Sequence, residues 1–300
     1  MSKSVTEISM KIGFIGTGIM GSRMATNLQK HGYEVVIFNR TQAKAIALIE
    51  NGAVWADTPG VLAKQVEIIF TMLANPEAVM IAALGENGFL DSLAPNALWI
   101  DCSTVHPSFS RQMAKEAQSK QVRFLDAPVS GSKNQAEKAE LVFMVGGNAT
   151  DVKTCQPLFE AMGSRFIHVG EYGMGTALKL ANNLLLGTSM AAFAEAVTLG
   201  EALGLSQKML LKALLGGAVA APFLSTKKEM IELENYEAEF PLEWMQKDLH
   251  MVEIAANEAE VAIPVTSNVK ELYRLAMQQG LGKKDFSAIY SFLKAGGSNK

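Results

Sequence analysis

Residues 11–21 read "KIGFIGTGIMG", an apolar run that leads into glycines spaced as G-x-G-x-x-G. The run predicts a buried strand, and the stretch after it, "SRMATNLQKHG", predicts a helix closed by Gly32. In such a strand–turn–helix Gly16 allows the tight turn, Gly18 lets a pyrophosphate approach the backbone, and Gly21 lets the helix pack closely on the strand. The N-H groups of the helix N-terminus then face the phosphates. We expect a dinucleotide at Gly16, Thr17, Gly18, Ile19, Met20 and Gly21; glycines that serve the turn alone are the alternative.

Six apolar runs alternate with helical patterns between residues 11 and 169. They read "KIGFIG", "EVVIFN", "VEIIFTM", "LWIDCS", "VRFLDAP" and "LVFMVGG". Most are nearly continuous in apolar residues, as expected for strands that helices cover on both faces. Strands that alternate with helices favour a parallel sheet with crossover connections. Together with the glycine motif after the first strand, this pattern predicts an α/β Rossmann domain over residues 1–170.

The pattern changes after residue 170. From Thr176 to Gly204 the sequence predicts one long apolar-rich helix, and the chain beyond it also predicts helices, which are interrupted at Pro241 and Pro264. The predicted fold class is therefore an α/β domain and an all-α domain, residues 171–300, joined by a long interdomain helix. The second domain contains more Ala, Leu and Met than one buried stripe needs, which favours a homodimer or homotetramer over a monomeric bundle.

Composition restricts the classes of partner. With 49% hydrophobic residues, 19% charged residues and a formal net charge of -3, the chain has no basic excess for nucleic acid, so small molecules or other proteins are the expected partners. Neither C-x-x-C spacing nor i, i+4 pairing of histidines is present, so we expect neither a disulfide framework nor a metal site. The N-terminal "MSKSVTEIS" has no apolar signal-peptide core, and no apolar stretch reaches the roughly 20 residues of a membrane span, which predicts a cytoplasmic protein.

A cation stands where this type of domain usually has an acid. The second strand run, within "VVIFNRTQAK" at residues 35–44, ends in Asn39, Arg40 and Thr41. A carboxylate there would bind the ribose hydroxyls of NAD, whereas Arg40 offers a planar fork of donors for a 2′-phosphate. Asn39 and Thr41 add uncharged hydrogen-bonding groups. These three residues predict NADP as the cofactor; a solvated surface arginine is the alternative.

A lysine stands in an otherwise apolar predicted helix, "TALKLANNLLLGTSMAAF" at residues 176–193. Burying an ammonium costs free energy unless it has a function or a partner. Lys179 and Asn183 lie four residues apart, so their side chains share one helix face and can converge on one ligand, while Asn182 is expected to face elsewhere. The spacing leaves two interpretations open: a catalytic pair, or a lysine whose stem packs between domains while its charged end reaches water.

Four stretches, in order along the chain, resemble the β-hydroxyacid dehydrogenase family, of which 3-hydroxyisobutyrate dehydrogenase is a member. They are "GFIGTGIMGSRMATNL" at 13–28, "DCSTVHP" at 101–107, "DAPVSGSKNQAE" at 126–137 and "GMGTALKLANN" at 173–183. The similarity continues into "FPLEWMQKDL" at 240–249 and so spans nearly the whole chain. It implies an oxidoreductase that acts on the CH-OH group of a small carboxylate-bearing hydroxy acid or on the corresponding aldehyde.

The resemblance implies roles for the residues of two of these stretches. Lys179 takes the place of the family's catalytic lysine, and Asn183 is expected to orient it or to bind the substrate. An ammonium can stabilise the negative charge that builds on a carbonyl oxygen as hydride arrives, and can then donate a proton. Ser130, Gly131 and Ser132 take the place of the segment that holds the substrate carboxylate; an ordinary Ser-Gly turn is the alternative.

Further residues are expected beside the cofactor and substrate. Met72 and Leu73 end the strand run "VEIIFTML" and should line the cofactor, with core packing as the alternative. The resemblance places Thr104 at the nicotinamide end of the cofactor, unless Thr104 caps the helix that follows. It also implies cofactor contact for Lys247 and substrate contact for Asp248, a pair that in isolation would be interpreted as a solvated helix face.

One segment departs from the commonest family pattern. The usual Ser-Gly-Gly is replaced by "SGS" at 130–132, and "AEL" at 139–141 stands in place of Gly-Thr-Leu. This variant resembles the glyoxylate and succinic semialdehyde reductase branch, which uses NADPH. We therefore predict an NADPH-dependent reductase that converts glyoxylate to glycolate, or succinic semialdehyde to 4-hydroxybutyrate. The alternatives are a 3-hydroxyisobutyrate-type dehydrogenase and a noncatalytic NADP-binding sensor or scaffold.

Overall fold

The chain folds as two compact units. The computed structural model describes residues 10–297, and the division between the units falls between Lys179 and Leu180. The first unit is an α/β domain and the second is helical, as the sequence predicts. The division lies within a long helix, so the first turns of that helix belong to the α/β unit.

The first unit is built on a nine-stranded sheet with the order β3-β2-β1-β4-β5-β6-β8-β7, in which β9 pairs with β8. All six predicted strand runs form strands of this sheet. The strands are β1 Lys11–Ile15, β2 Glu34–Phe38, β3 Val54–Trp55, β4 Ile68–Thr71, β5 Leu98–Asp101, β6 Arg123–Asp126, β7 Val129–Ser130, β8 Leu141–Gly147 and β9 Gly163–Gly170.

Helices cover both faces of the sheet. Alternate residues of β1 point to opposite faces: Phe14 lies in the core beneath α1 and α7, and Ile15 lies in the core beneath α3, α4 and α5. This explains the continuous apolar runs, since neither face of the sheet is left to water. The helices of the unit are α1 Ile19–Lys30, α2 Ile46–Glu50, α3 Pro59–Ala63, α4 Pro76–Leu84, α5 Pro107–Ser119, α6 Lys133–Glu137 and α7 Ala149–Met162.

The sheet is not parallel throughout. Strands β1 to β6 pair in parallel, but β8 runs antiparallel to β6, with Leu125 opposite Gly147. Between these two strands the chain forms the five-residue helix α6 and β7, which itself pairs antiparallel with β8. The predicted parallel sheet therefore carries antiparallel pairing at this edge, where no long crossover helix returns the chain.

The parallel strands place their carboxyl ends at one edge of the sheet. The glycine motif follows β1, Arg40 follows β2, Met72 follows β4, and Thr104 follows β5. Ligands of open α/β sheets bind at this edge. The fold therefore brings most of the predicted cofactor residues to the edge where a dinucleotide binds.

Within the described residues, the second unit contains the rest of a long helix, α8, and five further α-helices packed around a large apolar core, with a smaller cluster at Leu180, Met251 and Val252. Helix α8 begins two residues before the predicted Thr176. None of the helices formed by residues 10–297 combines the length and hydropathy that a membrane crossing requires. The helices are α8 Met174–Ala202, α9 Gln207–Leu215, α10 Lys228–Glu232, α11 Leu242–Glu258, α12 Pro264–Ala276 and α13 Ile289–Gly297.

Candidate active site

Two glycines of the motif are required by close contacts. Gly16 has a φ of +99°, and a Cβ on it would lie 2.3 Å from the carbonyl oxygen of Met72. A Cβ on Gly21 would lie 1.9 Å from the carbonyl oxygen of Gly16. Both distances are far below a van der Waals contact: a side chain at Gly16 would displace the loop after β4, and one at Gly21 would separate α1 from the turn after β1. These positions have the roles that the motif predicts, a tight turn and close helix–strand packing.

Gly18 differs because it borders open space. A Cβ built on Gly18 would have nothing within 4 Å, although the residue is the N-cap of α1. The helix has no side-chain cap and no acidic residue in its first turn. Its first N-H groups therefore lack a side-chain acceptor, and its positive dipole end is not neutralised. Room beside the backbone, together with N-H donors, is what a pyrophosphate needs, so the motif fits a dinucleotide.

The residues after β2 divide into a support and an exposed cation. The amide oxygen of Asn39 accepts a hydrogen bond from the backbone N-H of Thr17 at 3.1 Å, and its amide nitrogen donates to the carbonyl oxygen of Thr41 at 2.8 Å. Asn39 thus braces the glycine loop with its amide oxygen and the loop after β2 with its amide nitrogen. Arg40 is exposed, and within residues 10–297 no carboxylate pairs with its guanidinium. Its donors are available to a phosphate.

The loops after β4 and β5 are held together by Asp101. Its Oδ1 accepts hydrogen bonds from the hydroxyl of Thr71 at 2.8 Å and from the backbone N-H of Ser103 at 3.0 Å. The hydroxyl of Ser103 in turn accepts from the backbone N-H of Leu73 at 2.9 Å. Burial raises the pKa of Asp101 to about 6. These contacts fix the half-buried residues Met72 and Leu73 next to the glycine turn.

Thr104 lies half-buried in the loop between β5 and α5. The N-cap of α5 is His106, whose Nδ1 accepts from the backbone N-H of Phe109 at 3.3 Å. The alternative role for Thr104, capping this helix, therefore does not apply. Contact with the cofactor stays a prediction for Thr104.

The Ser-Gly-Ser segment has one engaged and one available hydroxyl. Ser132 caps α6: its hydroxyl donates to Gln135 Oε1 at 2.8 Å, and its N-H donates to the same oxygen at 2.9 Å. Gly131 has a φ of +127° and could not carry a side chain, because a Cβ would lie 2.8 Å from Leu141. The hydroxyl of half-buried Ser130 has no hydrogen-bond partner among residues 10–297. Ser130 is therefore the better placed of the two serines to bind a ligand.

The start of α8 is bound to the sheet through Asp126, the last residue of β6. Its two carboxylate oxygens accept from the backbone N-H groups of Gly173 at 2.7 Å and Thr176 at 2.9 Å. The hydroxyl of Thr176 adds a longer bond at 3.2 Å. Burial raises the pKa of this carboxyl to about 6, although the hydrogen bonds act in the opposite direction. Lys179 follows on the same helix with only 8% of its surface exposed.

In the second unit a buried polar cluster contains three of the predicted site residues. The amide nitrogen of Asn183 donates to Asp248 Oδ2 at 2.5 Å, and Lys247 Nζ lies 2.5 Å from Asp248 Oδ1. Asp248 is 2% exposed, and both of its oxygens face these neighbours. This geometry favours a positioning role for Asp248, while the substrate contact predicted for it remains a prediction, as does the cofactor contact of Lys247.

Asn182 corrects an expectation. Its amide nitrogen donates to Asn183 Oδ1 at 3.0 Å, so it does not face away as predicted. The side chains of helix neighbours diverge by about 100° at the backbone, but two amides are long enough to turn towards each other. Asn183 therefore has its oxygen engaged and one amide hydrogen on Asp248, which leaves its second amide hydrogen for a ligand.

No group of three or more His, Cys, Asp or Glu side chains that could hold a metal ion occurs in the described part of the chain. Apart from the buried carboxylates that hold these segments in place, the polar groups described above are lysine, arginine, asparagine and serine side chains and backbone N-H groups. They suit recognition of anions and stabilisation of negative charge.

Two family models together match nearly the whole chain. Residues 11–170 match the NAD binding domain of 6-phosphogluconate dehydrogenase, and residues 173–293 match a domain described as NAD-binding of NADP-dependent 3-hydroxyisobutyrate dehydrogenase. The chain belongs to the 3-hydroxyisobutyrate dehydrogenase family. It is accordingly an NAD(P)-dependent oxidoreductase that acts on CH-OH groups, as the resemblance implied.

Individual family members agree with this assignment. The chain is 36% identical to glyoxylate/succinic semialdehyde reductase 2, chloroplastic, of Arabidopsis thaliana over 97% of its own length and 82% of the relative's. It is 35% identical to mitochondrial 3-hydroxyisobutyrate dehydrogenase of Bos taurus, with coverages of 94% and 86%. The solved 3-hydroxyisobutyrate dehydrogenase of Mycobacterium tuberculosis, with L-serine, superposes with a TM-score of 0.87 at 28% identity, over 96% of this chain and 100% of that one.

Two buried acids, Asp101 and Asp126, were not predicted from the sequence to have a role. Both stand at the ends of apolar strand runs, in "DCST" and "DAPVSG". An acidic residue at the carboxyl end of a buried strand could have indicated a residue that organises the binding edge of the sheet. Their partners could not be read from sequence, because Thr176 lies 50 residues beyond Asp126.

Proposed function

We propose that this family member is an NADPH-dependent reductase of small aldehyde acids, which converts glyoxylate to glycolate or succinic semialdehyde to 4-hydroxybutyrate. The observation that carries the proposal is Arg40, an exposed guanidinium directly after β2. It stands where an NAD-binding domain has a carboxylate. An arginine recognises a 2′-phosphate through bidentate, charge-assisted hydrogen bonds.

The cofactor would be held by the glycine loop and the residues braced around it. Backbone N-H groups at the start of α1 suit the pyrophosphate, and Arg40 with Thr41 suits the 2′-phosphate. Asn39 contributes by holding Thr17 and Thr41 in place. When bound, the dinucleotide supplies the hydride. The matching domain model, described as that of an NADP-dependent enzyme, supports the same choice.

Lys179 provides the acid. The charged form of a lysine side chain carries a proton that it can donate, so it can act as a general acid. At a carbonyl oxygen that gains negative charge, the ammonium stabilises the charge and then protonates the alkoxide. Asn183, one helical turn further on, can donate its second amide hydrogen to the same substrate. The same lysine in its neutral form would accept the proton when the reaction runs as an oxidation.

The substrate carboxylate would bind at the Ser-Gly-Ser segment, which begins with the last residue of β7. Ser130 offers a hydroxyl without a protein partner among the described residues, and Gly131 exposes its backbone. Ser132, which was predicted to share this role, instead caps α6 with its hydroxyl. The contribution of Ser132 is therefore expected to be the conformation of the segment.

The choice of substrate rests on the Arabidopsis relatives. Two proteins named glyoxylate/succinic semialdehyde reductase are 36% and 34% identical to this chain, with 97% and 95% of the chain covered. A second candidate substrate is 3-hydroxyisobutyrate, which the enzyme would oxidise. It is a candidate because 3-hydroxyisobutyrate dehydrogenase of Bos taurus is 35% identical to this chain. The sequence identities to the two kinds of relative are too similar to decide between the two substrates. Arg40 favours the reduction, because it favours NADPH as the cofactor.

Steady-state kinetics over a panel of substrates test the proposal. Consumption of NADPH and of NADH would be followed with glyoxylate and succinic semialdehyde, and reduction of NADP and NAD with 3-hydroxyisobutyrate. We expect the highest kcat/KM with NADPH and one of the two aldehyde acids. Activity confined to oxidation of 3-hydroxyisobutyrate would favour the second candidate, and no turnover in either direction would contradict both.

Location and assembly stay predictions. We propose a cytoplasmic protein, since the free thiols of Cys102 and Cys155 are buried and unpaired, as suits a reducing compartment. A homodimer or homotetramer is proposed because the second unit exposes large apolar side chains. Among these are Leu185 and Leu199 on α8, Leu203 directly after α8, and Met209 on α9.

A further inference from the structure

Asp126 occupies a junction between two parts of the proposed active site. It ends β6, and the chain continues from it directly into β7 and the Ser130 segment. Its side chain contacts a different segment, the start of α8, which lies about 50 residues further along the chain. Only 1% of Asp126 is exposed, so it is positioned to act on neighbouring residues rather than on a ligand.

The contacts of Asp126 fix the first turn of α8 in space. The carboxylate accepts from two backbone N-H groups, one with each oxygen, at 2.7 and 2.9 Å. Thr176 reaches the carboxylate through its hydroxyl as well, and that hydroxyl also pairs with Ser110 Oγ of α5 at 2.9 Å. Position and rotation of the helix start are therefore both constrained.

Glycines allow the helix to lie this close to the sheet. A Cβ on Gly175 would lie 2.3 Å from the carbonyl oxygen of Met144 in β8 and 2.8 Å from that of Asp126. Gly173 has a φ of +85°, the left-handed region, which turns its N-H towards the carboxylate. The start of α8 is thus docked on β6 and β8 without intervening side chains.

Lys179 stands three residues beyond Thr176, within the same helix and the same unit. An α-helix is stiff over one turn, so a shift of its start displaces Lys179 by a similar distance. The geometry points to Asp126 as a positioning residue for the reaction: it holds the ammonium of Lys179 at the place where the carbonyl oxygen of the substrate develops charge. This inference rests on the proposed function, because it requires Lys179 to be the acid.

An isosteric change isolates this role. In Asp126→Asn the amide keeps one acceptor oxygen and places an NH2 group opposite one of the two backbone N-H donors. One of the two hydrogen bonds from backbone N-H groups is lost and two donors face each other, although the side-chain volume is nearly unchanged. Misplacement of a reacting group by about 1 Å can cost about 100-fold in rate, so we expect kcat to fall about 10- to 100-fold. The Kd for NADPH should be unchanged.

The matched control is Asp151→Asn. Asp151 is also a buried acid bound to β6, but its partner is Arg123 at the opposite end of the strand, at 2.7 Å. We expect this variant to lower the melting temperature without changing kcat. Thr176→Val serves as a second variant if Asp126→Asn folds poorly. It removes the 3.2 Å bond to Asp126 and the 2.9 Å bond to Ser110 Oγ, and it retains the backbone N-H. It should lower kcat by a smaller factor.

A double-mutant cycle with Lys179→Met tests whether Asp126 acts through the lysine. We expect Asp126→Asn to have no further effect on kcat in the Lys179→Met background, because the group that it positions is absent. If Asp126→Asn lowers kcat by the same factor in both backgrounds, or not at all in the wild type, the inference is overturned. Failure of the proposed function gives a different result, since Lys179→Met alone would then leave kcat unchanged.

Discussion

At the residue scale, the choice of cofactor depends on Arg40. The residue is exposed and has no ion-pair partner among residues 10–297, so its charge is available to a ligand phosphate. Its neighbours contribute differently, because Asn39 uses its amide to brace the loop. We therefore expect this one guanidinium to discriminate between NADP and NAD.

Reversing this charge should change cofactor preference. Arg40→Asp is expected to raise the KM for NADPH about tenfold or more, because a charge-assisted contact worth about 1.5–3 kcal/mol is replaced by repulsion. The KM for NADH should change little. Lys64→Asp, an exposed charge reversal after α3, controls for net charge. Equal losses with both cofactors would show that Arg40 does not recognise the phosphate.

The two serines of the Ser-Gly-Ser segment should separate in experiment. Ser130→Ala removes a hydroxyl without a protein partner among the described residues and is expected to raise the KM for the aldehyde acid about tenfold, at an unchanged melting temperature. Ser132→Ala removes the cap of α6, which costs about 1 kcal/mol of stability, and should lower the melting temperature with a smaller effect on KM. Kinetics and thermal melting of both variants check this, and the reverse assignment would contradict it.

At the scale of elements, the glycines of the motif that joins β1 to α1 allow close packing at two positions and leave room for a ligand at the third. Gly16 and Gly21 are fixed by backbone contacts, whereas Gly18 borders open space. The spacing of the motif predicts these separate roles. The close contacts at Gly16 and Gly21 agree with a packing role, and the open space beside Gly18 leaves room for a ligand.

Alanine at two of these positions should therefore have opposite effects. Gly18→Ala fits its extended backbone and meets no protein atom, so its melting temperature should not fall, while its methyl group should raise the Kd for NADPH about tenfold. Gly21→Ala would bring a Cβ to within 1.9 Å of a carbonyl oxygen and should lower the melting temperature markedly. Fluorescence titration with NADPH and thermal melting measure both. A Gly18→Ala variant that binds NADPH normally would contradict the pyrophosphate assignment.

Elements were predictable where the signal is local. The strand runs, the glycine motif and the long helix follow from apolar pattern and turn residues, and all six runs form strands. The contacts that hold the site were not predictable, because Asn183 and Asp248 are 65 residues apart and their pairing depends on how α8 and α11 pack. The antiparallel pairing of β8 was missed for the same reason, since apolar pattern does not encode strand direction.

At the scale of the whole molecule, the buried acids make stability depend on pH. Burial raises the pKa of Asp101 and of Asp126 from 3.8 to about 6, so the folded protein retains protons that the unfolded chain has lost. The free energy of unfolding contributed by these groups therefore falls as the pH rises from about 4 to about 6. At neutral pH each ionised carboxylate is stabilised by the hydrogen bonds that it accepts from neighbouring backbone N-H and hydroxyl groups.

Asp101→Asn should weaken this dependence. The amide cannot titrate but keeps an oxygen to accept from Thr71 and Ser103. Between pH 4 and 6 the free energy of unfolding of the wild type should fall more steeply than that of the variant, by about 1 kcal/mol per pH unit. Urea unfolding of both proteins at several pH values measures the difference. Parallel curves would show that the pKa of Asp101 is not raised.

We propose that Lys179 is the proton donor in an NADPH-dependent reduction. The most direct test is kcat of Lys179→Met with NADPH and the best aldehyde acid of the panel, compared with the wild type under saturating conditions. Methionine preserves an unbranched apolar stem and removes the ammonium. We predict that kcat falls by about 100-fold or more while the Kd for NADPH is retained, because charge stabilisation and proton transfer are both lost. An unchanged kcat would contradict the assignment of Lys179 as the catalytic acid.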